Sequence, residues 1–240
     1  ISKLQELRHL IGFFSESLPI ANLKKLLTLK YVCLSSWEKL NPERLVDLQE
    51  LQIELNERTD LSIPVFKFET VAKLRSLRLL SVWLGHRQSL PSLHLLGHCR
   101  CLVDLRLCGR IEKLPENLDE IFPNLEALKL MNSLLKEDSI PSLEKLPNLM
   151  FLVLFSKSYT GEKLSCRANG FPRLEVLNLS NLIQLEEWEV DEDAMPMLRG
   201  LSMTKCSNKL RIPEKLKSIP LPGKWECSDH LRGNFSLKLL

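Results

Sequence analysis

Apolar residues along this chain recur in the frame L-x-x-L-x-x-L-x-L, and the frame itself returns about every two dozen residues. Clear instances are Leu146, Leu149, Leu152 and Leu154, then Phe171, Leu174, Leu177 and Leu179. Phe122, Leu125, Leu128 and Leu130 precede them, and Met195, Leu198, Leu201 and Met203 follow. Upstream the frame begins at Leu4, Leu23, Leu45, Leu74 and Cys99, so successive starts are 19, 22, 29, 25, 23, 24, 25 and 24 residues apart. The last two apolar positions of each frame are separated by one residue. That spacing points both side chains to one face of a short strand. The first two positions then close the core from the connecting arc. One such unit cannot bury its own apolar face, so it must stack on its neighbours.

A period near 24 residues lies in the range of leucine-rich repeats. Leucine supplies 54 of the 240 residues, which suits one leucine layer per repeat better than an ordinary globular core. The expected fold class is α/β: a leucine-rich-repeat solenoid, or horseshoe, with a parallel concave sheet and irregular convex arcs. Residues 1–218 would hold about nine repeats, each ladder leucine buried, and residues 219–240 a degenerate C-terminal cap. In that cap the frame continues weakly as Ile219, Pro222, Trp225 and Cys227. With Ile1 three residues before a frame start, the chain reads as the C-terminal part of a longer array or a fragment of a larger protein. The stretch 134–143 has room for one helical turn, whereas 62–66 reads as irregular. The turn position that an Asn ladder often occupies holds Asn56 and Cys206, but Leu34, Gly85, Arg110, Ser133, Lys157 and Leu182 elsewhere, which predicts looser turns.

Composition narrows the classes further. A net charge of +3 is too small to imply nucleic acid or an anionic membrane as partner. No apolar run approaches the roughly 18 residues of a membrane-spanning helix, and the first residues do not form a signal peptide. Seven cysteines, an odd number without a paired cap framework, read as reduced thiols in a cytoplasmic protein. His94, His98, Cys99, Cys101 and Cys108 are close together, but Cys99-Arg100-Cys101 is too tight for zinc, and Cys99 falls on a core position. There is no H-E-x-x-H, G-x-S-x-G or glycine-rich dinucleotide turn, so no enzyme activity, metal or cofactor is assigned to this chain.

Binding chemistry is sought at the strand positions that alternate with the leucines. Phe151, Val153 and Phe155 surround Leu152 and Leu154, making that strand apolar on both faces. Trp83 is a second aromatic, and Met131 lies beside the first group. Arg106 and Lys129 are expected to form a basic rim, with Glu50 and Glu54 as an acidic one. An apolar patch rimmed by charge is a protein-binding signature. The plain alternative is an arc folding over the strand, or a register off by one residue. A second candidate is the acidic stretch Glu186, Glu187, Glu189, Asp191, Glu192 and Asp193 around Trp188, which could contact a basic partner. Its plain alternative is a solvated convex loop.

Three segments carry a family resemblance. They are Gly170-Phe171-Pro172-Arg173-Leu174-Glu175-Val176-Leu177-Asn178-Leu179, then Leu185-Glu186-Glu187-Trp188, then Ala194-Met195-Pro196-Met197-Leu198-Arg199-Gly200-Leu201, completed by Cys206 and Ile212-Pro213. They resemble repeats of plant coiled-coil nucleotide-binding leucine-rich-repeat disease resistance proteins. Leu7-Arg8-His9-Leu10 and the stretch from Asn22 to Leu29 are similar to earlier repeats of that group. The resemblance implies an intracellular immune receptor whose repeats sense a pathogen effector or a guarded host protein and restrain a nucleotide-binding switch. This chain lacks the G-x-x-x-x-G-K-[ST] phosphate loop. ADP or ATP would therefore bind the parent's nucleotide-binding domain, itself an expected partner of these repeats. The resemblance also implies a cytoplasmic location, with nucleocytoplasmic or membrane-associated placement through the parent. The alternative is a substrate-recruiting leucine-rich-repeat subunit of a ubiquitin ligase, which would need an F-box-like helical segment not found in these residues.

Overall fold

A computed structural model describes residues 4–14, 20, 22–40, 42–55, 65–86 and 88–222. Strands β1 (His9–Phe14), β2 (Thr28–Cys33), β3 (Glu50–Glu54), β4 (Leu79–Trp83), β5 (Asp104–Cys108), β6 (Ala127–Met131) and β7 (Phe151–Phe155) follow in sequence order. Four more are β8 (Lys163–Cys166), β9 (Val176–Ser180), β10 (Glu187–Val190) and β11 (Gly200–Thr204). Nine of these build one parallel sheet in the order β1-β2-β3-β4-β5-β6-β7-β9-β11. Every neighbour in it comes from the next repeat, as a solenoid requires.

The register follows the leucine frame. Leu29, Leu51, Leu80, Leu105, Leu128, Leu152, Leu177 and Leu201 lie side by side on successive strands. A second row runs from Val32 through Ile53, Val82, Leu107, Leu130, Leu154 and Leu179 to Met203. From Leu23 to Leu201 the frame residues are buried almost throughout, and they merge into one continuous core. Burying each leucine contributes on the order of 1.5–3 kcal/mol. At the edges of the described sheet burial fails: Leu4 is 54% exposed, and Leu7, Leu10 and Met203 are half-buried. A repeat with one neighbour buries only one flank.

One strand breaks the expected alternation. Tyr31 takes a left-handed backbone (φ 64°), and the register shifts between Leu29 and Val32. Val32, which lies outside the leucine frame begun at Leu23, is therefore turned into the core opposite Ile53 and is fully buried. The ring of Tyr31 instead meets Phe13, centroids 5.1 Å apart.

The turns after the strands are more regular than the missing Asn ladder predicts. The residue just past the strand is left-handed in Asn132, Ser156, Asn181 and Lys205, and Gly109 has φ 152°. Asparagine tolerates this conformation best among non-glycine residues. The turn amides continue the sheet's ladder: Gly109 N–H donates to Met131 O (3.1 Å), Asn132 to Ser156 O (2.9 Å), Ser156 to Ser180 O (2.9 Å) and Asn181 to Thr204 O (2.8 Å). Backbone of the next repeat thus satisfies the groups that an Asn side chain would otherwise serve. A polar ladder does exist, at the other end of the strands. Asn124 Nδ2 donates to Arg100 O (3.0 Å), Asn148 Nδ2 to Pro123 O (2.8 Å), and Arg173 to Asn148 Oδ1 (2.8 Å).

Convex arcs are short and mixed. The helical turn anticipated within 134–143 appears as a 3-10 turn at Glu137–Ser139 running into α-helical Ile140–Glu144. Near the end of the array the convex side holds a parallel pair of its own, β8 with β10. At the far edge Leu201 N–H donates to Pro220 O (2.9 Å), and Pro222 lies 3.3 Å from where a Cβ on Gly200 would sit. These residues cover part of the edge strand. The remainder of the expected cap, with Trp225 and Cys227, lies outside the described residues, as do Asn56 and residues 62–64.

Candidate functional site

Parallel strands stand about 4.8 Å apart, so in-register residues form rows across the concave face. The middle row reads Ser81, Arg106, Lys129, Val153, Asn178 and Ser202. One flanking row holds Leu79, Asp104, Ala127, Phe151 and Val176. The other holds Trp83, Cys108, Met131, Phe155 and Ser180. The structure therefore brings Met131 beside Phe155. It puts Phe151 in the opposite row and separates Trp83 from Met131 by the buried Cys108. Trp83, Met131, Phe151 and Phe155 are half-buried, and the Trp83 indole N–H donates to Ser81 Oγ at 2.8 Å.

Arg106 and Lys129 do not form a rim. They lie in the floor, 9% and 1% exposed, and Val153 beside them is 5% exposed. The reason is lateral crowding: each middle-row side chain has neighbours on two strands and two flanking rows. Arg106 survives there because Asp104, two residues before it on the same strand face, takes its guanidinium in a fork. Nη2 lies 2.6 Å from Oδ2 and Nε 3.0 Å from Oδ1. Lys129 Nζ is buried with no hydrogen-bond partner. Burial pushes its ammonium down to about 8 from the usual 10.5, the Arg106 charge adds to the effect, and Asp104 opposes it. Asn178 Oδ1, two strands away in the same row, is also buried without a partner. Asp104 and Asn178 were legible as concave positions, but nothing marked them out. The useful signal was the i, i+2 pairing of opposite charges at Asp104 and Arg106.

Of the expected acidic rim, Glu50 pairs with Lys30 at 2.6 Å. Burial raises the Glu54 carboxyl while Gln52 Nε2 donates to it at 2.6 Å.

The acidic stretch is part strand and part exposed turn, the turn being Asp191, Glu192 and Asp193. Glu187, Trp188, Glu189 and Val190 are strand β10, with Trp188 buried and the two glutamates facing out. Its charges are partly matched: Glu186 meets Lys209 at 2.9 Å, and Glu189 meets Lys163 at 2.5 Å. Asp191 Oδ2 accepts the Ala168 N–H at 2.9 Å. Lys215 Nζ reaches the carbonyls of Glu192 (3.0 Å) and Ala194 (3.1 Å), while Glu192 and Asp193 are exposed.

Cys99 is buried in the core, and burial pushes its thiol up to about 11. His94 Nδ1 instead shares a proton with Ser92 Oγ at 2.7 Å. Among the described residues, no group of three or more His, Cys, Asp or Glu is placed to hold a metal ion, and no helix is long and apolar enough to cross a membrane.

Against known proteins, residues 1–220 match the family model described as leucine-rich repeat region. In Arabidopsis thaliana, disease resistance RPP13-like protein 2 is 35% identical over 229 residues, covering 91% of this chain and 26% of that protein. Disease resistance protein RPP13 is 33% identical, covering 91% and 24%, and disease resistance protein RPP8 is 31% identical, covering 91% and 22%. The chain thus spans about a quarter of the length of the relatives it matches. Among solved structures, an LRR protein of Leptospira interrogans superposes with a TM-score of 0.53 at 21% identity, covering 84% of this chain and 52% of that one. TLR13 in its complex with ssRNA13 gives 0.52 at 17% identity, covering 90% and 35%. At such identities the likeness concerns the fold.

Proposed function

Because the chain belongs to the leucine-rich repeat region family and is similar to plant disease resistance proteins across nine-tenths of its length, we propose that it is the protein-recognition part of an intracellular immune receptor. Its ligand is a pathogen effector or a guarded host protein. At rest the array contacts the parent's nucleotide-binding domain and restrains its switch. A ligand with greater affinity for the released state shifts that balance.

The observation that supports recognition through the concave face is its composition at Met131, Phe151, Phe155 and Trp83. These are large, partly exposed apolar groups around a charged floor. Aromatic anchors of this kind dominate the energetics of protein interfaces. The acidic strand β10 and the turn after it are the second contact surface, with Glu187, Glu192 and Asp193 offered to a basic patch of the nucleotide-binding domain.

Titrating the chain with candidate effectors and with the parent nucleotide-binding domain tests this. Replacing Trp83, Phe151 or Phe155 with Ala should weaken ligand binding by about 2 kcal/mol or more at an anchor position. The fold should persist, since all three side chains are partly exposed. Binding that survives all three substitutions would move the site off the concave face. Binding of neither class of protein would remove the receptor reading.

A further inference from the structure

Two adjacent strands of the concave face bring together two cations of the middle row, Arg106 and Lys129, and one carboxylate of the flanking row, Asp104. Asp104 holds Arg106 in a two-point fork, and Lys129, directly across from Arg106, has no partner for Nζ. Asp104 is already held by Arg106, and a buried ammonium with no hydrogen-bond or ion-pair partner of its own costs far more than a methionine of similar length at the same place. Folding therefore gives no reason for a lysine there. The unmatched charge does have a complement, namely one further carboxylate on the solvent side of the row.

We propose that Lys129 is the anchor for an acidic side chain of the recognised protein, an Asp or Glu flanked by apolar residues that seat against Met131, Phe151 and Phe155. This rests on the concave-face recognition reading above and names the chemistry of what is recognised. The lysine's four methylenes let Nζ turn toward the groove without moving β6. Two strands along the same row, Asn178 Oδ1 awaits a donor. An extended segment crossing β6, β7 and β9 would cover roughly 10 Å between the two groups. It could place its carboxylate on Lys129 and a backbone N–H on Asn178. Both orphaned groups are then satisfied by one ligand, and Val153 between them provides an apolar contact.

A displayed library of random 15-residue peptides is the probe, selected on the purified full chain and on its Lys129→Met and Phe151→Ala variants. The wild type should enrich peptides that share an Asp or Glu next to apolar residues. Individual peptides from that pool should bind about 30-fold more weakly to Lys129→Met, or after their own acidic residue becomes Asn or Gln. Lys129→Met keeps the side chain's length and removes only the unpaired charge, so the variant folds. Two outcomes overturn the proposal: an enriched pool with no acidic preference, or a preference that Lys129→Met retains. If that pool still loses binding on Phe151→Ala, concave recognition stands and only the carboxylate inference falls. If neither substitution matters, both fall.

Discussion

Replacing Leu152 with Ala should lower the free energy of unfolding by about 2–5 kcal/mol, read from the shift in a denaturant midpoint. Leu152 is 2% exposed, flanked in register by Leu128 on β6 and Leu177 on β9. Both neighbours are pinned by their own ladder hydrogen bonds, so the wall of the new cavity cannot collapse inward. The cost therefore belongs in the upper part of the range. The same change at Leu4, 54% exposed, removes little buried surface and should cost under about 1 kcal/mol. Equal effects at the two sites would mean that the leucine register is wrong.

The second large effect is a pH dependence at Lys129. In the unfolded chain its ammonium titrates near 10.5, and in the folded chain near 8. Between those values the unfolded state holds more protons, so stability must rise with pH. The deficit is fully present below pH 8 and amounts to about 3 kcal/mol. It disappears as pH climbs to 10.5. Lys129→Met should accordingly be more stable than wild type by about that amount at pH 7, and the difference should vanish by about pH 10.5. Taking the difference between the two proteins at each pH cancels the other groups that titrate there. A Lys129→Met variant no more stable than wild type at pH 7 would mean that Nζ reaches solvent or an acceptor in solution.

The path of the main sheet was legible because leucine sits at fixed places in the frame and one residue separates the last two. Two features escaped for different reasons. At Tyr31 and Val32 either residue could have been apolar core, and only the left-handed turn of the backbone decides which points inward. In Glu187-Trp188-Glu189-Val190 the alternation of a strand was present, but the charge count drew attention away from it. The site was less legible than the fold. Phe151, Phe155 and Trp83 could be placed on the concave face by alternation alone. That Arg106 and Lys129 are floor rather than rim depends on what stands beside them, and those neighbours are about 24 residues away in sequence.

The convex pair of β8 and β10 bears on the shape of the whole array. A horseshoe bends because its outer elements are wider than its inner ones: helices pack 8–10 Å apart, strands about 4.8 Å. Around Ile140–Glu144 and the helical turns before it, that mismatch should open the arc and cup the inner face. Where β8 meets β10, both sides advance by the same step per repeat, and the mismatch vanishes. The array should run nearly straight there and resist bending, because flexing it would strain two ladders of hydrogen bonds instead of one. A partner lying along the groove would meet a cradle over the middle repeats and a flat, stiff landing beyond them.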